Sequence, residues 1–245
     1  MFVLLIPTDI AGLEIWLKAD AETGLTDNGD ITTLTDQSGA AANLTYNVGT
    51  KAKWKENITV GGLPVYRCPA DNTADYRTAG SPIANTERLT FFVIAKSGGD
   101  VVTALLGDAS NQLFAGLCCS AVTSWTTWSV GTGPAITIDN ATTAFKYYVV
   151  IIDRTTAIAG TMEVRQNGVS KDVSTSAVRN AFTNLMAFAT ANASNQGWDG
   201  DVLEWGIYNV AVAGANLTGL ETYLNNRLTA TPEAPLRSRN MMMFD

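Results

Sequence analysis

The chain has 245 residues, 46% of them hydrophobic and 16% charged, so it can bury a substantial core and is too apolar to be disordered. Its formal net charge is −7, and no lysine or arginine cluster is present to neutralise phosphates, so we expect no nucleic-acid binding. No apolar run approaches the roughly 18 residues that cross a bilayer, and the short apolar start lacks the basic residues of a secretion signal. We therefore expect no membrane insertion.

The cysteines do not form a disulfide framework. There are three of them, Cys68, Cys118 and Cys119, an odd number with one adjacent pair. We expect buried, reduced thiols that act as small apolar side chains. Such thiols are typical of a protein that folds in a reducing cytoplasm.

The first half of the chain has the two-residue periodicity of strands. Residues 13–20 alternate apolar and polar side chains, which predicts a half-buried strand. Residues 21–50 are rich in Asp, Asn, Gly and Thr and predict loops, with a turn at 36–39. Residues 89–96 and 101–106 are predicted to pair as antiparallel strands.

Strands continue into the second half, which ends in one helix. Residues 147–152 are apolar on both faces, so either the C-terminal helix or a neighbouring subunit must cover the second face. Asn167-Gly168 predicts a type I′ hairpin over 161–174. A last strand, 202–208, is followed by leucines at helical spacing, Leu217, Leu220, Leu224 and Leu228.

Short strands joined by turns predict an all-β fold, a two-sheet antiparallel sandwich with one short C-terminal helix. We expect this domain to span residues 1–230 and an extended tail to span 231–245. The tail ends in Met241, Met242, Met243 and Phe244, which are costly to leave in water and suited to an irregular groove. We expect them to dock on another chain; packing back on the domain and fraying are the alternatives.

Several short motifs follow one another in a set order along the chain. They are Trp16 to Asp20, Asp36 to Gly39, Gly62 to Tyr66, the strand Phe91 to Ala95, Gly200, Glu204, Tyr223 and Leu224. In this order and spacing they resemble the concanavalin A-like (laminin-G-like) jelly-roll domains of phage and bacterial surface proteins. The resemblance covers roughly residues 7–228. It implies that the two-sheet antiparallel sandwich is a jelly roll, and that the matching residues have turn, core and helix-packing roles.

The chain contains no histidine, which excludes Ser-His and Cys-His nucleophilic mechanisms and most zinc sites. Some relatives on this fold are glycosidases with a Glu-x-Asp-x-x-Glu strand, which this sequence lacks, although two carboxylates from separate strands could still meet. No cofactor is expected. Calcium is the one metal for which loop oxygens exist, and solvated loop acids in turns are the favoured interpretation. The acids concerned are Asp20, Asp27, Asp30, Asp36, Asp199 and Asp201.

Sugar sites combine an aromatic face with a few polar groups. The first candidates are Trp125 and Trp128, which lie in a Ser/Thr-rich segment beside a Gly-Thr-Gly loop. Trp54 and Trp198 follow, each in a polar context. The competing interpretation, favoured for each residue, is that these rings close the ends of the sandwich core.

Together these features favour a non-enzymatic phage virion surface protein on the capsid or tail. The absence of a signal and of an attached catalytic domain leads us to expect a complete chain that folds in the host cytoplasm and leaves by lysis. We expect a homo-oligomer attached to other virion proteins. The alternative is a carbohydrate- or receptor-binding module for a cell-surface glycan. A third hypothesis, glycan hydrolysis, predicts loss of activity with Glu204→Gln.

Overall fold

The structure of the protein is a computed structural model. It describes residues 5–59, 61–68, 74–79, 83, 88–97, 103–104, 106–108, 116–119, 125–128, 136–138, 144–153, 161–174, 185–187 and 198–229. For the strands within 103–138 and for 185–187, the description is of the backbone.

The larger sheet has eight strands, all antiparallel, in the order β15-β14-β13-β7-β17-β5-β4, and β1 also pairs with β17. One edge of β17 is shared, since β5 pairs with its first residues and β1 with its last. These strands are β1 (Leu13–Lys18), β4 (Lys53–Lys55), β5 (Val65–Cys68), β7 (Arg88–Ser97), β13 (Lys146–Asp153), β14 (Thr161–Gln166), β15 (Val169–Ser174) and β17 (Gly200–Tyr208).

Two further sheets complete the strands that the structure describes. The five-stranded sheet has the order β2-β3-β6-β16-β9 and the four-stranded sheet the order β12-β11-β10-β8. Their strands are β2 (Thr33–Leu34), β3 (Leu44–Val48), β6 (Asp75–Thr78), β8 (Thr103–Ala104), β9 (Leu106–Asp108), β10 (Gly116–Cys119), β11 (Trp125–Trp128), β12 (Ile136–Ile138) and β16 (Leu185–Ala187). The four-stranded sheet adjoins both others, through β10 against β9 and β12 against β15.

The main core lies between the two larger sheets. Leu17, Phe91 and Trp205 of the eight-stranded sheet and Leu44 and Tyr76 of the five-stranded sheet belong to one buried cluster. Each of these side chains is at most 1% exposed. The fold is thus an all-β, antiparallel, jelly-roll-like sandwich, which confirms the predicted class.

A second buried cluster covers the outer face of the eight-stranded sheet. The helix α1 (Gly214–Thr229) buries Leu220, Tyr223 and Leu224 against this face. Tyr147 and Val149 of β13 lie in the same cluster, so α1 covers the second apolar face of that strand. In the part of the chain that the structure describes, no helix is long and apolar enough to cross a membrane.

The hairpin at β14 and β15 forms as predicted. Asn167 and Gly168 both have positive φ, 49° and 79°, as a type I′ turn requires. The pairing predicted for 89–96 with 101–106 is wrong, because β7 pairs with β13 and β17. Leu89, Phe91 and Phe92 are all buried, and a strand that is apolar on both faces belongs in the middle of a sheet.

Two register irregularities move side chains between the faces of the eight-stranded sheet. One lies between Leu13 and Ile15, so Leu13 contacts the helix-side cluster while Ile15 lies in the sandwich core. The other lies between Val202 and Glu204, so Leu203 lies on the helix side while Trp205, two residues further on, lies in the sandwich core. The strict alternation predicted for both segments therefore fails at these points.

The turn predicted at 36–39 fastens the loop region to β1. The carboxylate of Asp36 accepts hydrogen bonds from the backbone N–H groups of Trp16 (2.9 Å), Ser38 (2.9 Å) and Ala42 (3.0 Å) and from the Ser38 hydroxyl (2.7 Å). Gly39 follows with φ of 90°, where a side chain would be strained. One carboxylate thus satisfies donors from three parts of the chain.

Asp36→Ala should lower the free energy of unfolding by about 2 kcal/mol, because it leaves several partly buried donors without an acceptor. Urea denaturation at pH 7 measures this change. Asp30→Ala is the matched control, since Asp30 forms an exposed, solvent-screened ion pair with Lys53 and its loss should cost clearly less than that of Asp36. Equal costs in the two variants would contradict the structural role of Asp36.

Candidate functional site

An open pocket of about 260 Å³ lies where β4, the loop after it and the short 3-10 turn after β1 meet. It is lined by Asp20, Trp54, Glu56, Asn57, Gly62 and Pro64. Ligand pockets usually enclose about 300–1,000 Å³, so a space of this size suits one sugar-sized unit of a longer ligand.

Trp54 forms the aromatic wall of the pocket and is held there by hydrogen bonds to neighbouring loop segments. Its backbone N–H donates to Gly29 O (3.0 Å), and its carbonyl accepts from Asn28 N–H (2.9 Å). The indole N–H donates to the carbonyl oxygen of Ala19 at 2.8 Å. These bonds fix a half-buried ring at the pocket while its polar atom is already satisfied within the protein.

The opposite wall comes from a tight turn in the loop after β4. Gly62 N–H donates to Thr59 O (2.9 Å), and Leu63 N–H donates to the Thr59 hydroxyl (2.8 Å). Asn57 and Gly62 have φ of 52° and 68°, the region that favours asparagine and glycine. The turn brings Gly62 and Pro64 back beside the exposed side chains of Glu56 and Asn57.

Asp20 is fixed in the pocket wall by an arginine from the far end of the chain. Arg227 of α1 donates from Nη2 to Asp20 Oδ1 at 2.7 Å and from Nε to Glu204 Oε2 at 2.9 Å. Lys18 Nζ lies 3.9 Å from Asp20 Oδ2. Arg227 therefore connects α1 with the pocket wall.

Glu204 anchors this arginine from inside the protein. Its side chain is 0% exposed, and its Oε1 accepts from Trp16 Nε1 (2.6 Å) and the Tyr223 hydroxyl (2.8 Å). Burial raises the pKa of Glu204 above its ordinary value, against the lowering by Arg227 and the two other donors. Burial, followed by the charge of Glu204, raises the pKa of Tyr223, so its hydroxyl stays a donor.

The motif residues of the predicted jelly roll therefore meet in one network. Trp16, Asp20, Glu204 and Tyr223 are joined by hydrogen bonds or through Arg227. Trp16, Glu204 and Tyr223 are buried, as core and helix-packing roles require, whereas Asp20 is exposed. A buried carboxylate with these partners has no access to a substrate, so Glu204 is the wrong residue with which to test hydrolysis.

Of the predicted sugar-binding tryptophans, Trp54 and Trp198 have described side chains, and these two do not share the pocket. Trp54 lines the pocket, whereas Trp198 is fully buried in the sandwich core and presents no ring to a ligand. Its interpretation as a sugar-stacking residue is thus wrong. Trp125 and Trp128 lie on β11, which pairs with β10 and β12, and their side chains lie outside the described part.

The remaining predicted sites have mixed outcomes. Met241, Met242, Met243 and Phe244 lie outside the described residues. Cys68 is a buried free thiol whose pKa is raised by burial, as expected of a small apolar side chain. Cys118 and Cys119 are described only as backbone of β10.

The acids considered for calcium are mostly engaged with protein donors. Asp27 contacts Lys55 (3.3 Å), and Asp201 contacts Arg67 (2.6 Å) and Lys96 (3.0 Å). The pKa of Asp199 is raised by burial and by the charge of Asp201. Within the described ranges, no group of three or more His, Cys, Asp or Glu side chains is placed to hold a metal ion.

Sequence reasoning missed Glu56, Asn57 and Arg227, and it treated Asp20 only as a loop oxygen or a motif residue. The signal for the first two was their position directly after Trp54 in a polar segment. Arg227 gave no such signal, because its partners are 23 and 207 residues away along the chain.

The sequence matches no protein-family model and no curated protein, but solved structures share its fold. One is domain 4 of AbnA, a GH43 extracellular arabinanase from Geobacillus stearothermophilus, solved in complex with arabinotriose. The TM-score is 0.53 at 14% identity, and the match covers 84% of this chain and 97% of that domain.

Botulinum neurotoxin domains show the same likeness. The receptor-binding domain of the C/D mosaic serotype has a TM-score of 0.57 at 11% identity, over 90% of this chain and 52% of that one. The binding domain of neurotoxin DC in complex with SialylT has a TM-score of 0.56 at 11% identity, over 87% and 52%. The chain spans about half the length of these neurotoxin domains. At such identities the likeness shows a shared β-sandwich fold.

Proposed function

We propose that this chain is a carbohydrate-binding module of concanavalin A-like type, which holds one sugar unit of a glycan in the pocket beside Trp54. The observation that carries this proposal is the composition of the pocket: an indole ring beside the exposed polar side chains of Glu56 and Asn57. A sugar ring has apolar patches that pack on an aromatic surface, and its hydroxyls need nearby hydrogen-bonding groups.

The structurally similar proteins support carbohydrate binding as the class of function. One of them, the arabinanase domain, matches over 97% of its length and was solved with arabinotriose, so one β-sandwich of this shape occurs in complex with an oligosaccharide. Another was solved with a ligand named SialylT, and the match covers 52% of that domain. The particular glycan of this chain is not carried over from them, since the identities are 14% and 11%.

Trp54→Ala should weaken glycan binding at least tenfold, because it removes the aromatic wall of the pocket. Trp54→Phe should retain most of the affinity, since it keeps an aromatic surface and loses only the indole N–H bond to Ala19. The measurement is isothermal titration of the full chain with neutral oligosaccharides, arabinotriose among them, chosen from an array screen.

Circular dichroism of each variant shows whether the fold is kept. Failure of the wild-type chain to bind any glycan of the array would refute the proposal. Equal affinities of the wild type and a folded Trp54→Ala variant would refute the assignment of the pocket.

A second candidate function, glycan hydrolysis, is favoured by one observation: two carboxylates, Asp20 and Glu56, line the same pocket. Glycosidases act through such pairs. We propose the non-enzymatic function first, because Asp20 is already bound by Arg227 at 2.7 Å. Release of reducing ends from the bound glycan, with loss in Glu56→Gln, would establish hydrolysis instead.

Attachment to a virion stays a prediction from the sequence. Its proposed docking residues, Met241 to Phe244, lie outside the described part of the chain. A glycan-binding module and a particle-attached surface protein are compatible, since the pocket and the tail would serve different partners.

A further inference from the structure

The pocket beside Trp54 has two carboxylates in its lining, and among the described residues only that of Asp20 is paired with a cation, Arg227. Asp20 and Glu56 both line it, and none of the described lining residues is a lysine or an arginine. In the part of the chain that the structure describes, the Glu56 carboxylate has no hydrogen-bond or ion-pair partner. Its backbone N–H, by contrast, donates to Asp27 Oδ1 at 3.1 Å.

The cations around the pocket are committed to other groups, and Lys18 Nζ lies 3.9 Å from Asp20 Oδ2. Arg227 lies between Asp20 and Glu204. Lys55 Nζ is bound by Asn28 Oδ1 at 2.6 Å and Asp27 Oδ2 at 3.3 Å, and its side chain is 15% exposed. The Glu56 carboxylate is therefore available to bind a group of a ligand that enters the pocket.

We propose that this pocket selects an amino-sugar unit with a free, protonated amine over neutral and acidic sugars. This inference rests on the proposed glycan binding and names its substrate class. An ammonium group placed between the Trp54 ring and the Glu56 carboxylate gains a cation–π contact and a charge-assisted hydrogen bond. The same carboxylate repels the acidic group of a uronic or sialic acid.

The test compares two ligands that differ at the nitrogen of each sugar unit, which is a charged amine in one and a neutral, acetylated amide in the other. Trimers of glucosamine and of N-acetylglucosamine are titrated into the full chain at pH 6 and low salt, where the free amine is protonated. We expect the glucosamine trimer to bind at least tenfold more tightly. Glu56→Gln, which keeps the shape and removes the charge, should abolish most of this preference.

Asp153→Asn is the control for overall charge. It also removes one negative charge, but Asp153 pairs with Arg88 at the start of β7. Across β5 and β17, the pocket strand β4 lies level with Ala95 of β7. Ala95 is seven residues further along β7 than Arg88, the partner of Asp153. At about 3.3 Å per residue this places Asp153 on the order of 20 Å away, so the preference should persist in this variant.

Each other outcome overturns the inference. Equal binding of the two trimers, or tighter binding of the acetylated one, would refute charge selection while leaving glycan binding intact. An equal loss of preference in Asp153→Asn and Glu56→Gln would attribute it to the net charge of −7. If neither trimer binds, amino-sugar recognition is wrong, and the array screen with Trp54→Ala decides separately whether the pocket binds any glycan.

Discussion

Replacing Arg227 with methionine should lower the free energy of unfolding by about 3–5 kcal/mol at pH 7, the cost of leaving one partner of a buried ion pair without the other. The methionine keeps much of the apolar stem, so packing changes little. Glu204, 0% exposed, loses the cation that is bound to it among the described residues. Trp16 and Tyr223 remain as donors, but they carry no charge. Urea denaturation of the variant and the wild type measures the difference.

The cost should depend on pH in a defined direction. Burial raises the pKa of Glu204 above its ordinary value of about 4.5, so the folded state binds the proton more tightly than the unfolded state. Stability from this group is therefore greatest below that ordinary value and falls as the pH rises through the raised pKa. Loss of Arg227 removes an influence that lowers the pKa. The deficit of Arg227→Met should thus be largest at neutral pH and shrink towards pH 4.5.

Two controls isolate the buried pair. Arg88→Met removes an exposed partner of Asp153 and should cost less than about 1 kcal/mol. The double variant Arg227→Met with Glu204→Gln should lose the pH dependence of the deficit, because no buried carboxylate remains to titrate. A cost for Arg227→Met no larger than that of Arg88→Met would contradict the anchoring role of Glu204.

Gly206→Ala should cost at least about 3 kcal/mol, at the upper end of the range for overpacked sites. A Cβ atom there would lie 2.5 Å from Phe92 Cζ and 2.8 Å from the carbonyl oxygen of Ile15. Gly206 pairs with Trp16 of β1 and Phe92 of β7, so the methyl group would press on both neighbouring strands. Thermal and urea denaturation measure the loss.

A second variant separates the two contacts. Phe92→Leu combined with Gly206→Ala relieves the contact with the ring but not the one with the Ile15 backbone, so recovery should be partial when compared with Phe92→Leu alone. Wild-type stability of Gly206→Ala would show that β1 can shift away from β17 at no cost.

Sequence periodicity predicted where the strands and the helix lie better than it predicted which strands pair with each other. Residues 147–152 and 202–208 form strands because their apolar content requires burial on two sides, and Asn167-Gly168 turns because few other dipeptides adopt two positive φ angles. The partners of residues 89–96 could not be predicted in this way, since several apolar strands fit beside them equally well. The irregularity between Val202 and Glu204 leaves no trace in the pattern of side chains.

The pocket was predictable only in part. A tryptophan in a polar segment indicates a binding surface, and Trp54 lies at one; Trp198 has a similar context and is buried. The difference arises from the tertiary position of each segment, which local sequence does not encode. The same holds for Asp20 and Arg227, which are brought together only by the packing of the helix on the sheet.

The place of β17 in the sheet has a consequence for synthesis of the protein. It lies between β7 on one side and β5 and β1 on the other, yet it is synthesised long after all three of them. At about 5–20 residues per second, roughly 10–40 s separate β1 from β17. During that interval β1 and one edge of β7 have no partner strand, and such edges are open to pairing with other chains. Nascent chains of this protein therefore pass through an extended period in which aggregation competes with folding, and the competition ends when residues 200–208 insert.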